Sequence, residues 1–291
     1  MSTTPAITRA TTRRSGSSAT GWALWAVALL FLTAFLFVPL AAVFSEALAE
    51  GVGAYGAAVT EPEALHAIQL TLLTALIVVP LNLVFGIAAA WALARFEFPG
   101  RRLLIALIEL PFAVSPVVSG LVFVLLFGAQ GYIGPWLAEH DIRVIFAVPG
   151  IVLATLFVTV PFVARELIPV LEEQGAEAEE AALALGASPW QMFRRITLPN
   201  IRWGLLYGVV LLTARAIGEF GAVSVVSGHV RGETNTVPLH VEILYNEYNY
   251  SAAFAVASLL TTLALVTLVA RSVIEWRAGA ESASTQAGAE A

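Results

Sequence analysis

The sequence predicts an all-α fold, a polytopic membrane bundle of six transmembrane helices. Hydrophobic types make up 58% of the 291 residues, charged types only 12%, and mean hydropathy is +0.83. A soluble domain carries about 25% charged residues, so this chain has more apolar surface than it can bury by itself. Several apolar runs reach about 20 residues, the length that crosses a bilayer. None of them alternates as a barrel strand does, and helices satisfy their own backbone groups in hydrocarbon.

Six apolar segments define the predicted spans. In chain order they cover residues 22–45, 66–94, 103–128, 145–170, 203–228 and 252–276. The first begins with Trp22 and Trp25, a residue type that favours the membrane interface. Its apolar run is longer than the core of a signal peptide, so we predict that it stays in the membrane. Several spans contain a proline, which removes a backbone donor and predicts a kink, at Pro39, Pro80, Pro111, Pro116 and Pro161.

The two ends of the chain are predicted to be tails. Residues 1–20 are rich in Ser, Thr and Arg and are expected to form a disordered cytoplasmic tail. A second disordered tail is expected over residues 279–291. The transmembrane domain then covers 21–278, and its longest cytoplasmic connection covers 171–202.

The distribution of arginine predicts the orientation in the membrane. One side of the six spans carries twelve arginines: Arg9, Arg13, Arg14, Arg95, Arg101, Arg102, Arg165, Arg194, Arg195, Arg202, Arg271 and Arg277. The opposite side carries only Arg143 and Arg231. Because positive residues concentrate in cytoplasmic loops, we predict that both termini lie in the cytoplasm.

Missing residue types exclude several function classes. The chain has no Cys and no Lys, and no two of its four His have the i, i+4 spacing of a zinc site on a helix. A phosphate-binding Walker A loop needs a Lys, so this chain cannot bind ATP in that way. We expect no metal, no bound cofactor and no catalytic residue. The net charge of −6 is scattered and gives no support to a nucleic-acid partner.

The cytoplasmic connection 171–202 contains two predicted short helices. Residues 177–185 are strong helix formers with acids in the first turns, and Gly186 is placed to end that helix. Ser188 has the sequence of an N-cap, Gln191 that of its capping-box partner, and Pro199 is predicted to close the second helix.

Amphipathicity leaves two interpretations of this second helix open. Trp190, Phe193 and Ile196 recur at three-residue steps, with Arg194 and Arg195 beside them. Such a helix lies on lipid with its arginines at head groups, or it enters a groove on a partner protein.

The same loop resembles the EAA loop of ABC-importer permeases. The match consists of Glu180-Ala181-Ala182, three residues, Gly186, nine residues, Ile196, one residue and Leu198-Pro199. The resemblance covers roughly residues 60–276 and implies the type I importer permease fold. It also implies that this loop inserts into a cleft of an ATPase subunit. The residues that carry the expected ATPase coupling are Glu180, Ala181, Ala182, Gly186, Ile196, Leu198 and Pro199.

Two further segments resemble one substrate group within that family. Residues 213–228 resemble the fifth-span signature of the sulfate and molybdate permeases, and residues 231–251 resemble sulfate/thiosulfate permeases. This resemblance implies a heterodimer with a second, homologous permease subunit, two copies of an ATPase subunit that hydrolyses ATP, and a periplasmic binding protein that delivers sulfate or thiosulfate. A molybdate or tungstate permease is the alternative within the family.

Three ionisable residues within the predicted spans are candidates for the translocation pathway. Arg215 and Glu219 have i, i+4 spacing on one face of the fifth span, and Glu109 lies early in the third. Charges at membrane depth are costly and usually functional. Arg215 and Glu219 either form an ion pair that holds the bundle or line a path for a dianion. Glu109 either pairs with Arg215 or caps its own span.

Two other function classes compete with an ABC permease. A membrane-embedded enzyme needs convergent acid, base or nucleophile groups, and no such motif is present. A secondary transporter predicts inverted repeats, which the sequence does not contain, and leaves the EAA loop without a purpose.

Overall fold

The computed structural model describes residues 19–289, with side-chain surroundings described for residues 21–277. Every regular element in this part of the chain is helical. The helices, in chain order, are α1 (Ala19–Leu32), α2 (Val38–Ala47), α3 (Val52–Thr60), α4 (Pro62–Arg95), α5 (Arg101–Ala113), α6 (Pro116–Phe127), α7 (Gly134–Glu139), α8 (Val148–Thr159), α9 (Pro161–Gln174), α10 (Glu177–Ala184), α11 (Pro189–Met192), α12 (Leu198–Asn200), α13 (Arg202–Ile217), α14 (Gly221–Val226), α15 (Val237–Asn246) and α16 (Tyr250–Ala289). Short π-helical stretches join α1 to α2 and α11 to α12. The predicted tail 1–20 lies, apart from its last two residues, outside the described part.

The chain divides into two units, one ending at Val43 and one beginning at Phe44. In the first unit the described residues form a single helical run, which passes through the π-helical stretch Thr33–Phe37. Pro39 follows that stretch directly, and the helical run continues past this residue, which has no backbone N–H, through the π-helical turn before it.

The predicted all-α membrane bundle is confirmed, with one span differing in form. Five helical segments are long and apolar enough to cross a membrane: Gly21–Ala47, Pro62–Arg95, Val148–Gln174, Arg202–Val226 and Tyr250–Arg277. The third predicted span, 103–128, is instead two helices, α5 and α6, that meet at an angle of 107°. Ser115 adopts an extended backbone because Pro116 disfavours helical geometry at the residue before it.

A predicted helix end and the predicted C-terminal tail also differ from expectation. Pro199 does not close the second helix of the loop, because the π-helical stretch Phe193–Thr197 continues directly into α12, which contains Pro199. The backbone of α16 is helical to Ala289, whereas the sequence predicted a disordered tail from residue 279. Five of the 13 residues of that tail are Ala, the best helix former.

The core of the second unit is built around α4. Its C-terminal half packs against α9 in a cluster that includes Ala90, Val163 and Leu167, all buried. Close approach is possible because a Cβ at Gly86 would lie 2.5 Å from the Cβ of Val163. On the other side of the bundle, the short helix α14 packs against α8 through a cluster that includes Ala222. The first contact region positions the cytoplasmic loop. The second positions the fifth span where it breaks between α13 and α14.

Candidate functional site

Helix α10, the first arm of the cytoplasmic loop, ends as predicted, at Gly186. Its φ is +88°, in the left-handed region that favours glycine. The Gly186 N–H donates to the Leu183 carbonyl at 3.0 Å, and the Ala187 N–H donates to the Ala182 carbonyl, also at 3.0 Å. These two bonds form a Schellman motif that satisfies the last carbonyls of α10 and reverses the chain direction.

The second arm of the loop runs from α11 through the π-helical stretch to α12, and it begins with the predicted capping box. The Ser188 N–H donates to Gln191 Oε1 at 2.9 Å, and the Gln191 N–H donates to Ser188 Oγ at 3.3 Å. Pro189 occupies the first turn, where no donor is needed. The loop is therefore a helix–turn–helix whose shape is set by local hydrogen bonds at both sides of the turn.

The predicted coupling residues divide into two groups by exposure. Glu180, Ala181, Gly186 and Pro199 are exposed, whereas Ala182, Ile196 and Leu198 are half-buried. Large apolar side chains beside the turn are exposed as well, with Leu185 at 89% and Trp190 at 67%. Trp190 stacks on Phe193, their ring centroids 5.9 Å apart. The turn thus presents an apolar tip rimmed by an acidic helix, a composition that suits contact with another protein.

A buried ion pair, which the sequence analysis did not identify, anchors this loop. Arg95 is the last residue of α4, and its Nε donates to Glu179 Oε2 at 2.8 Å. The two side chains are only 8% and 9% exposed. The hydroxyl of Thr197, in the second arm, donates to the other carboxylate oxygen of Glu179 at 2.7 Å. We call Arg95, Glu179 and Thr197 the loop anchor.

The loop anchor also reaches α9. The NH1 group of Arg95 donates to the Leu171 carbonyl at 2.7 Å, in the last turn of that helix, where carbonyls lack intrahelical partners. A positive charge there is also favoured by the helix dipole. Arg95 was placed on the cytoplasmic side by the sequence, but its partner lies 84 residues away, and no spacing rule joins them.

The fifth span contains a second Arg–Glu pair, in which only the carboxylate is fully buried. Arg215 NH1 lies 2.6 Å from Glu219 Oε2, and the i, i+4 contact anticipated from the sequence is formed. Glu219 is 1% exposed and Arg215 is 32% exposed. Glu219 lies at the break between α13 and α14, and its Oε1 accepts the Ala222 N–H at 2.9 Å. The carboxylate therefore replaces backbone bonds that the break removes.

Glu109 is not brought to this pair. It is exposed in the middle of α5, and no ion pair joins it to Arg215 within the described residues. It does not cap a helix end either, because α5 continues to Ala113. The buried Ser119 hydroxyl in α6 donates to the Ser115 carbonyl one turn earlier.

The opposite end of the bundle carries a charged cluster around Arg231. Its guanidinium contacts Glu63 at 3.0 Å and also pairs with Glu247. Burial opposes the charge, but the hydrogen bond to Glu63 and the two carboxylates outweigh it and raise the pKa of Arg231. Three exposed tyrosines lie at the adjacent turn, with Tyr250 in ring contact with both Tyr245 and Tyr248. The described residues contain no cluster of His, Cys, Asp or Glu that could hold a metal ion.

The helical membrane bundle and its helix–turn–helix loop define an integral-membrane permease of the type I importer fold. A family model described as "binding-protein-dependent transport system inner membrane component" matches residues 83–278, and the chain belongs to that family.

Its relatives narrow the class. The chain is 54% identical to the sulfate transport system permease protein CysW of Escherichia coli (strain K12), over 88% of each chain. It is 40% identical to the sulfate transport system permease protein CysT of the same organism, over 86% of this chain and 91% of that one.

A solved structure confirms the fold. A bacterial alginate ABC transporter in complex with an alginate pentasaccharide-bound periplasmic protein has a chain that matches with a TM-score of 0.72. The match covers 89% of this chain and 95% of that chain, at 18% identity.

Proposed function

We propose that this chain is one transmembrane half of an ATP-binding cassette importer for sulfate and thiosulfate. Its identity of 54% to CysW over 88% of the chain is the observation that carries the substrate class. CysW and CysT are both named as sulfate transport permeases of one organism, which supports a heterodimer of two related permeases. No relative named above is a molybdate or tungstate permease.

The power for transport is proposed to come from a separate ATPase subunit, present in two copies. The absence of Lys supports this division of labour, because the chain has no residue for a Walker A loop. The exposed tip of the cytoplasmic loop, formed by Glu180, Ala181, Gly186 and Leu185, is the proposed contact. We further propose that both termini lie in the cytoplasm, which the arginine distribution supports.

A periplasmic binding protein is the proposed source of substrate on the other side. The aromatic cluster of Tyr245, Tyr248 and Tyr250 is exposed at the end of the bundle opposite the loop. Tyrosine provides large contact area with a polar tip, as in many protein interfaces. The proposed transporter consists of two permease subunits and two ATPase subunits, to which the periplasmic binding protein docks.

For Arg215 and Glu219 we propose a holding role at the break in the fifth span. Glu219 compensates most of the charge of Arg215, and its second oxygen is used by the Ala222 N–H. A strong permanent site would also hinder release of a dianion. Any contact of Arg215 with passing substrate would use the exposed third of its side chain. Glu109 lies apart from this pair, so we assign it no contact with the anion.

The decisive test is uptake of labelled sulfate in cells that lack their own sulfate permeases. The chain is expressed with its partner permease, ATPase subunit and binding protein, and each partner is omitted in turn. Uptake that requires all four supports the proposal. Uptake blocked by excess molybdate but not by excess thiosulfate would assign the chain to the alternative substrate group, and uptake without the ATPase subunit would remove it from the ABC class.

A further inference from the structure

The cytoplasmic loop is held to the bundle by very few buried residues. Between Gly175 and Asn200 only Glu179, Met192 and Thr197 are buried. Two of these three belong to the loop anchor, and Met192 is the sole apolar one. The fully buried contacts of this segment are therefore mainly polar and lie at one point.

We infer that Arg95, Glu179 and Thr197 transmit motion of the cytoplasmic loop to the membrane helices α4 and α9. This inference rests on the proposed function, in which the loop tip contacts an ATPase subunit. The three residues are positioning residues: they bind neither ATP nor sulfate. They join the loop, as one body, to the two helices whose cytoplasmic ends meet there.

The geometry of Arg95 supports this role. All three guanidinium nitrogens are engaged, Nε and NH2 with the carboxylate of Glu179 and NH1 with the Leu171 carbonyl. A planar guanidinium held in this way fixes direction as well as distance. Rotation of α10 therefore pulls on α4 and α9 together, instead of being absorbed by a flexible side chain.

Glu179 joins the two arms of the loop to each other. It projects from the first turn of α10, and it accepts the Thr197 hydroxyl from the far end of the second arm. Both of its oxygens are therefore occupied by buried donors. Since Thr197 is itself buried, the second arm cannot swing away from the first without leaving that carboxylate partly unsatisfied.

The neighbouring residues Glu179 and Glu180 on α10 have different roles. Glu180 is exposed and available to a partner, whereas Glu179 faces inward and is used within the chain. A change at Glu179 should therefore leave the partner-facing surface intact. The expected defect is loss of coupling, in which ATP is hydrolysed without transport.

A matched pair on the same side of the membrane provides the control. Arg101 NH2 donates to Glu172 Oε1 at 3.0 Å, but Glu172 is half-exposed, and among the described residues no ion pair joins it to the loop arms. Glu172→Gln thus removes one carboxylate charge from an Arg–Glu pair near the loop without touching the loop anchor.

The test measures sulfate uptake and ATP hydrolysis together in proteoliposomes that contain the complete transporter. For Glu179→Gln we expect the sulfate imported per ATP to fall roughly tenfold, the size of an ordinary coupling free energy, with ATPase subunit still co-purifying. For Thr197→Val, which keeps the shape and removes one bond, we expect a smaller fall, about threefold. Glu172→Gln should match the wild type.

Three outcomes decide the question. A wild-type ratio in Glu179→Gln overturns the inference, as does loss of the ATPase subunit from that variant, because the residue would then only fold the contact surface. If Glu179→Gln does not reach the membrane, the ratio in Thr197→Val decides in the same way. Failure of the proposed function is a different result, since the wild-type chain itself would then import no sulfate.

Discussion

The pairs Arg95–Glu179 and Arg215–Glu219, each with a buried carboxylate, use the same chemistry for different purposes. Arg95 and Glu179 lie 84 residues apart and join a loop to the ends of two helices. Arg215 and Glu219 lie one helical turn apart and repair a break within a single span. The first pair is a tertiary link, whereas the second is a local cap with a counter-ion.

The difference lies in what each carboxylate does with its second oxygen. That of Glu179 accepts a side-chain hydroxyl from another arm of the loop, so the pair connects elements. That of Glu219 accepts a backbone amide three residues ahead, so the pair begins a new helix. An Arg–Glu pair therefore indicates a function only after its remaining hydrogen bonds are known.

The largest effect is expected from removing the cation at the break. Arg215→Gln leaves Glu219 buried without a counter-ion, which costs about 3–5 kcal/mol. Glu219→Gln should cost less, because its amide oxygen still accepts the Ala222 N–H and Arg215 is partly exposed. Thermal unfolding of the purified complexes in detergent measures both. Equal losses for the two variants would contradict the view of Glu219 as a buried cap.

Packing at the same break provides a test that involves no charge. A Cβ at Gly120 in α6 would lie 2.8 Å from the Ala222 carbonyl oxygen in α14. Backbone cannot move aside cheaply, so Gly120→Ala should destabilise the protein by about 1–3 kcal/mol. Gly56→Ala is the control, since a Cβ at this helical position meets nothing within 4 Å. The same unfolding assay applies, and a stable Gly120→Ala variant would mean that α6 is not held against α14.

Substitutions at the turn of the cytoplasmic loop should act through backbone strain and not through steric clashes. A Cβ at Gly186 meets nothing within 4 Å, but its φ of +88° is unfavourable for a branched side chain, by about 1–2 kcal/mol. Gly186→Val should insert into the membrane and yet abolish sulfate uptake, because the two arms would lose their relative orientation. Gly186→Asn, which tolerates left-handed geometry, should retain most uptake. Normal uptake by the Val variant would refute a coupling role for the turn.

The smallest effect on stability is expected from protonation of the buried side chain of His240. Burial lowers the pKa of His240 below its ordinary 6.5, although Glu61 and Glu63 oppose this shift and Arg231 adds to it. The unfolded chain therefore binds this proton first, so the contribution of His240 to stability is constant above pH 6.5 and falls as the pH drops below that value. The loss is at most about 1.4 kcal/mol per pH unit. Thermal midpoints at pH 7.5 and 5.5 measure it, and His240→Gln should have the flatter profile; identical profiles would exclude His240 as the cause.

The local geometry of the cytoplasmic loop could be predicted because its determinants are close in sequence. Ser188 and Gln191 are three residues apart, and the bonds around Gly186 span at most five. The pair of Arg215 and Glu219 follows the same rule of helical spacing. Glu179 could not be distinguished from Glu180, because adjacent identical residues differ only in which side of the helix the bundle covers.

The broken third span shows what the pattern of apolar residues cannot predict. Pro111 and Pro116 were both expected to kink a helix, yet Pro111 lies within α5, and the chain turns by 107° just before Pro116. Hydropathy measures the length of an apolar run and not its direction. The angle is set by the packing of α6 against α14, which brings residues about 100 positions apart into contact.

By itself, the sequence determined the helical class, the apolar segments, the caps of the loop and the residues that are missing. Each of these depends on composition or on neighbours within a few positions, where one residue restricts the next directly. Only the tertiary structure decided which acid of the loop is buried, where Arg95 finds its partner and how the third span turns. Those features depend on which distant surfaces exclude water from a charge, and burial of that kind exists only after the helices have packed.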